Sequence, residues 1–85
     1  MPEELSPPTT NVYVIIPAYN EEQSIAKVIQ AIPKEFVKTI VVANNNSKDN
    51  TKTQAEMAGA VVVDEPRPGY GYACLKGMDF LSNQY

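Results

Sequence analysis

No histidine occurs in the 85 residues, and Cys74 is the only cysteine. The first absence removes Ser-His-Asp and Cys-His mechanisms, which need an imidazole as their base. The second removes an internal disulfide and a cysteine-based zinc site. Basic residues are also scarce, with seven Lys and Arg against ten Asp and Glu and a net charge of −3. Scattered along the chain, they supply no basic face, which excludes nucleic acid as a partner. No apolar run approaches the ~20 residues that a membrane-spanning helix needs. The start, with Pro2, Glu3 and Glu4, has neither the basic opening nor the apolar stretch of a signal peptide. The expected setting is therefore cytoplasmic, with no membrane segment. The length leaves room for one small domain, burying only roughly 60 % of the surface that its unfolded chain exposes.

What is present alternates. Residues 1–11 are polar and proline-rich and read as a flexible arm. Val12 to Ile16 is a nearly continuous β-branched run, the pattern of a strand buried on both faces. Pro17 stops that strand, and Asn20 is placed to cap a helix, with Gln23 at capping-box spacing. Ile25, Val28, Ile29 and Ile32 form the apolar stripe of that helix, and Pro33 ends it. Thr39 to Ala43 is a second buried-type strand. A second helix follows from near Asp49 to Gly59, with Ser47 and Asp49 as competing caps and Thr51, Ala55 and Ala58 facing inward. Ala60 to Val63 makes a third strand. A last helix spans roughly Gly71 to Ser82, with Cys74, Leu75, Met78 and Leu81 on one face.

This order, β-α-β-α-β-α, predicts an α/β layer of three parallel strands arranged 3-2-1 with about three helices, over residues 12–85. Right-handed crossovers put the first two helices on one face and send the third back over the other. Three loops then meet at the carboxyl ends of the strands, where ligands of open parallel sheets bind. They are Pro17 to Asn20, Asn44 to Lys48, and Asp64 to Tyr70.

The sequences of these loops resemble a known family. V-I-I-P-A-Y-N-E-E at Val14 to Glu22 looks like the opening motif of the family-2 glycosyltransferases, whose fold is the Rossmann-like GT-A layer. V-A-N-N-N-S-K-D-N-T at Val42 to Thr51 is similar to that family's V-D-[DN]-G-S-x-D-x-T. E-P-R-P-G-Y-G-Y-A-C-L-K-G at Glu65 to Gly77 resembles bacterial relatives of the polyprenyl- and dolichyl-phosphate glycosyltransferases. The resemblance implies a nucleotide-diphosphate-sugar partner of UDP or GDP type. Carried over by position, it implies that Pro17, Ala18, Tyr19 and Glu21 line the base and ribose. Asn44 and Asn45 stand at the acidic pair that accepts hydrogen bonds from base and sugar. Gly69 and Gly71 let the backbone approach the nucleotide.

The departures are of two kinds, changed residues in the second loop and a missing metal motif. Asn44 stands where the family has Asp, and a neutral acceptor makes a bond roughly half as strong as a charged one. Asn46 stands where the family has Gly, and Asn is the side chain that best tolerates a left-handed backbone. The family's D-x-D metal motif and catalytic base have no counterpart here, since Asp49, Asp64 and Asp79 form no such pair. The chain is thus expected to be the N-terminal nucleotide-binding portion of such an enzyme. No catalytic residue, metal ligand or cofactor is expected of its own; Mg or Mn belongs to a full-length relative.

Simpler roles stand beside these. Glu21 also suits the first turn of a helix, where an acid complements the dipole. Gly69-Tyr70-Gly71-Tyr72-Ala73-Cys74 lacks the last glycine of G-x-G-x-x-G and follows the third strand, which argues against a dinucleotide site. The alternative reading is a non-catalytic module. A 3-2-1 sheet leaves the first strand without an outer neighbour, and such an edge invites a homo-oligomer.

Overall fold

The computed structural model describes residues 12–84. The proline-rich arm expected over 1–11 lies outside the described residues. Three strands form one parallel sheet: β1 (Tyr13–Ala18), β2 (Thr39–Asn44) and β3 (Val61–Asp64), with β2 in the middle. Three helices accompany them: α1 (Ile25–Ala31), α2 (Thr51–Met57) and α3 (Tyr70–Gln84). The order 3-2-1 and the α/β class are those that the alternating pattern predicts.

The strands' two faces take different helices. Val14, Ile16 and Ala18 of β1 lie in register with Ile40, Val42 and Asn44 of β2. Their apolar members form one cluster with Ile25 and Ile29 of α1 and Ala55 of α2. Burying a side chain such as Ile25 or Ile29 contributes about 1.5–3 kcal/mol. On the opposite face, Val41 and Ala43 are fully buried, and α3 packs there across all three strands. The approach is close because Gly77 faces Ile15: a Cβ at 77 would stand 2.6 Å from the Ile15 Cγ2.

Several local expectations are corrected. Pro17 lies inside β1, paired in register with Ala43, and does not stop the strand. The Val12 and Ala18 carbonyls both accept bonds from the β2 side, so residue 17 points its missing N–H the other way, where proline costs no ladder bond. Asn20 does not cap α1; it takes a left-handed backbone, φ 52°, and the residue before the helix is Ser24. Helical bonding nevertheless begins early, with the Ile25 N–H donating to the Glu21 carbonyl at 2.8 Å. Val28 is exposed, so the inward stripe of α1 is narrower than its apolar residues suggest. At the far end, Lys34 Nζ donates to the Ile29 and Ile32 carbonyls, satisfying groups that the helix terminus leaves open.

For α2, Gly59 is the expected C-terminal glycine. With φ 101°, it lets its own N–H reach Glu56 and the Ala60 N–H reach Ala55, a Schellman closure. In α3 the inward face is Ala73 and Gly77, while Leu75 and Met78 are exposed. Small residues win that face because the helix lies so near the sheet.

Candidate functional site

The carboxyl ends of the strands are joined by a lattice of loop-to-loop hydrogen bonds. Between the first and second loops, the Asn20 N–H donates to Ser47 Oγ at 2.9 Å, and the Lys48 N–H donates to Asn20 Oδ1 at 2.7 Å. The Glu21 N–H donates to Thr51 Oγ1 at 2.7 Å, and the Glu22 N–H to Asp49 Oδ2 at 3.3 Å. Asp49 also accepts from the Thr51 N–H and hydroxyl, the capping chemistry expected of it one residue ahead of the assigned cap, Asn50. The Thr51 bonds hold the Asp49 carboxyl below its ordinary value. Asn46 adopts φ 66°, so an asparagine does make the left-handed turn at the family's glycine position.

The third loop is fastened from β2. Asn45 is 5 % exposed, and its Nδ2 donates to the Glu65 carbonyl at 3.0 Å and to the Arg67 carbonyl at 2.6 Å. Its Oδ1 accepts the Gly69 N–H at 2.9 Å. Glu65, 3 % exposed, binds Arg67 through both carboxylate oxygens, and this neighbour pulls its pKa down to about 2. The Arg67 guanidinium in turn lies 4.3 Å from the centre of the Tyr72 ring.

These loops enclose a cleft of about 440 Å³ lined by Tyr19, Asn45, Asn46, Pro68, Gly69 and Tyr70. Its walls are mostly aromatic and apolar, with backbone and amide groups between them, the lining usual for a small-molecule site. Of the residues singled out in the sequence, the cleft brings together Tyr19, Asn45 and Gly69. Gly71 lies next to it on the first turn of α3, where a Cβ would meet nothing within 4 Å. Pro17 is part of β1, and Ala18 is fully buried in the core. Glu21 accepts from the Ser24 hydroxyl at 3.2 Å beside the second loop.

Strand alternation puts Asn44 on the other face from Asn45. Its Nδ2 donates to Asp64 Oδ1 at 3.0 Å across the β2–β3 register, while its Oδ1 is buried with no partner. Asp64 is held below its ordinary pKa first by that amide and then by Lys52, whose Nζ lies 3.0 Å from Oδ2. An aspartate at 44 would set two carboxylates against each other, so Asn44 and Asp64 suit one another as they stand. Asn46, Pro68 and Tyr70 also line the cleft, outside the set carried over from the family motifs. As an aromatic residue at the end of the third loop, Tyr70 suits stacking on a ligand as well as it suits no role.

Among the described residues, no group of three or more His, Cys, Asp or Glu side chains is placed to hold a metal ion. No helix among them is long and apolar enough to cross a membrane.

Known proteins share this arrangement. Residues 13–85 match the model of Glycosyl transferase family 2. An uncharacterized glycosyltransferase of Mycobacterium tuberculosis is 48 % identical over 67 residues, covering 79 % of this chain and 30 % of that protein. Protein RfbJ of Shigella flexneri is 47 % identical over 62 residues, covering 72 % of this chain and 48 % of that protein. Glucosyl-3-phosphoglycerate synthase from Mycobacterium tuberculosis, solved in complex with Mn2+, uridine-diphosphate-glucose and glycerol 3-phosphate, superposes with a TM-score of 0.74 at 31 % identity. That likeness covers 82 % of this chain and 29 % of the synthase chain. The chain thus spans less than half of the length of the curated relatives it matches, 30 % and 48 % of the two described here.

Proposed function

Because the chain belongs to glycosyl transferase family 2, we propose that its strand-end cleft binds the nucleotide of a nucleotide-diphosphate sugar, of UDP type. The observation that carries this is the cleft itself, in which Tyr19 and Tyr70 are brought together with Pro68, Gly69, Asn45 and Asn46. Aromatic rings beside proline and glycine suit a flat base and a ribose. The first turn of α3, kept bare by Gly71, leaves room for the backbone to meet the rest of the ligand. Support for UDP in preference to GDP comes from the likeness to a synthase solved with uridine-diphosphate-glucose. In this proposal Pro17, Ala18 and Glu21 shape the first loop, Asn44 fixes the end of β2, and Tyr19, Gly69 and Gly71 face the ligand.

Transfer of the sugar, with a polyprenyl phosphate as acceptor, is the activity we propose for the longer protein of which such a domain forms part. The third-loop motif from Glu65 to Gly77 supports that acceptor class. The nucleotide-binding role proposed here rests on the cleft. The comparisons favour this reading over a non-catalytic module.

Replacing Tyr19, which is about half exposed, tests it. Tyr19→Ala is expected to weaken UDP binding about tenfold, the effect of losing one aromatic contact to a base, while leaving the melting temperature unchanged. Calorimetric titration checks it. Equal affinity in the two chains counts against the cleft.

A further inference from the structure

We propose that Asn45 is a positioning residue: its side-chain amide is the template for the Glu65–Gly69 loop, and it serves the nucleotide chiefly by holding that loop in place. This rests on the nucleotide-binding reading above. The reason lies in the loop's composition. Pro66 and Pro68 have no N–H, so Arg67 is the only donor of the backbone between Glu65 and Gly69. That donor goes to Glu65 Oε2 at 2.8 Å. The loop therefore cannot close on its own backbone, and its inward groups need an outside partner.

One side chain supplies them all. Both carbonyls, of Glu65 and Arg67, accept from Asn45 Nδ2, and the Gly69 N–H donates to Asn45 Oδ1. Asparagine has two N–H protons and one carbonyl oxygen, which matches this demand. With both protons committed and the residue 5 % exposed, the amide has no donor left for a ligand. Asn45 is itself anchored, its backbone N–H donating to the Ala18 carbonyl at 2.7 Å. A single residue thereby ties the ends of β1 and β2 to the loop that brings Pro68, Gly69 and Tyr70 to the cleft. Aspartate, nearly the same shape, would fail: it keeps the acceptor for Gly69 but turns a carboxylate toward two carbonyls.

The test is the affinity of Asn45→Asp for UDP-glucose between pH 7.5 and 5, measured beside the unsubstituted chain. At pH 7.5 the variant is expected to bind about tenfold more weakly, having lost two hydrogen bonds. Affinity should recover as pH falls, because a protonated carboxyl can again donate to one carbonyl. The unsubstituted chain should show no such trend. The neighbouring charges are steady over this range: Glu65, Asp64 and Asp49 are held below their ordinary values, Arg67 and Lys52 above theirs. Lys76 of α3 faces Glu65 and Asp64 as a further positive charge.

A variant that binds as tightly as the unsubstituted chain, or more tightly, at pH 7.5 overturns the proposal, since a charged acceptor touching ribose or base would do so. Should the variant not fold, the unsubstituted chain decides by NMR. On saturation with UDP-glucose, the Asn45 side-chain amide protons should keep their hydrogen bonds to the Glu65 and Arg67 carbonyls; loss of those bonds in favour of base or ribose overturns the proposal. If the unsubstituted chain does not bind UDP-glucose at all, both readings fall together. If it binds and Asn45→Asp is indifferent, this one falls alone.

Discussion

Glu65 holds its carboxylate in a nearly closed setting, with both oxygens bound to Arg67. Its pKa is about 2 in the folded chain against an ordinary 4.5, so it binds fewer protons folded than unfolded over that interval. The stability it contributes is therefore present above pH 4.5 and is lost as pH falls through about 2. Urea midpoints measured against pH should fall over this window in the unsubstituted chain. Glu65→Gln should lack that part of the fall and be less stable at neutral pH; an unchanged slope contradicts the assignment. Nothing in the sequence marks Glu65 as buried, because a carboxylate in an E-P-R-P-G loop reads as solvated. Its partner two residues on explains why it is not. Asn44 and Asn45 teach a similar lesson. Their adjacency suggested one shared role, but strand alternation sends them to opposite faces, one toward Asp64 and one toward the third loop.

At the scale of the element, α3 holds two glycines with opposite demands. Gly77 lies against Ile15, and the nearest atom to an added Cβ is the Cγ2 methyl at 2.6 Å, fixed close to the β1 backbone. Gly77→Ala should therefore destabilise the fold by about 1–3 kcal/mol, as overpacking does. Gly71 faces open space, so Gly71→Ala should stabilise α3 by up to about 1 kcal/mol. If the bare first turn serves the ligand, the same change should weaken UDP binding. Thermal melts with calorimetric titration separate the two effects. Two variants moving stability in the same direction would contradict this packing. The strands and helices themselves were legible because β-branched runs and 3.6-residue spacing alternate along the chain. The cap of α1 was not, since Asn20 spends its side chain on Lys48 of the second loop, a contact 28 residues away. The inward face of α3 was misjudged for a related reason. Hydrophobicity pointed to Leu75 and Met78, but the short distance to the sheet admits only Ala73 and Gly77.

For the whole molecule, three parallel strands with helices on both faces bring their loops together at one edge, the carboxyl ends, and β1 and β3 are the outer strands among the described residues. The topology and the meeting of three loops at this edge followed from the alternation alone; the cleft's lining did not, because it depends on how a proline-rich loop is tied to Asn45. An outer strand is a template for pairing, and we propose that copies of this chain associate along β1. Sedimentation at tens of micromolar should give a mass above that of one chain; a monomer would oppose it. The central claim, that the edge is a nucleotide site, is tested most directly by mapping backbone amide shifts during titration with UDP-glucose. The account predicts saturable shifts centred on Tyr19, Asn45, Asn46, Gly69, Tyr70 and Gly71, with little change at the opposite end of the sheet around Thr39 and Val61. No shifts at millimolar ligand, or shifts centred away from this edge, would contradict it.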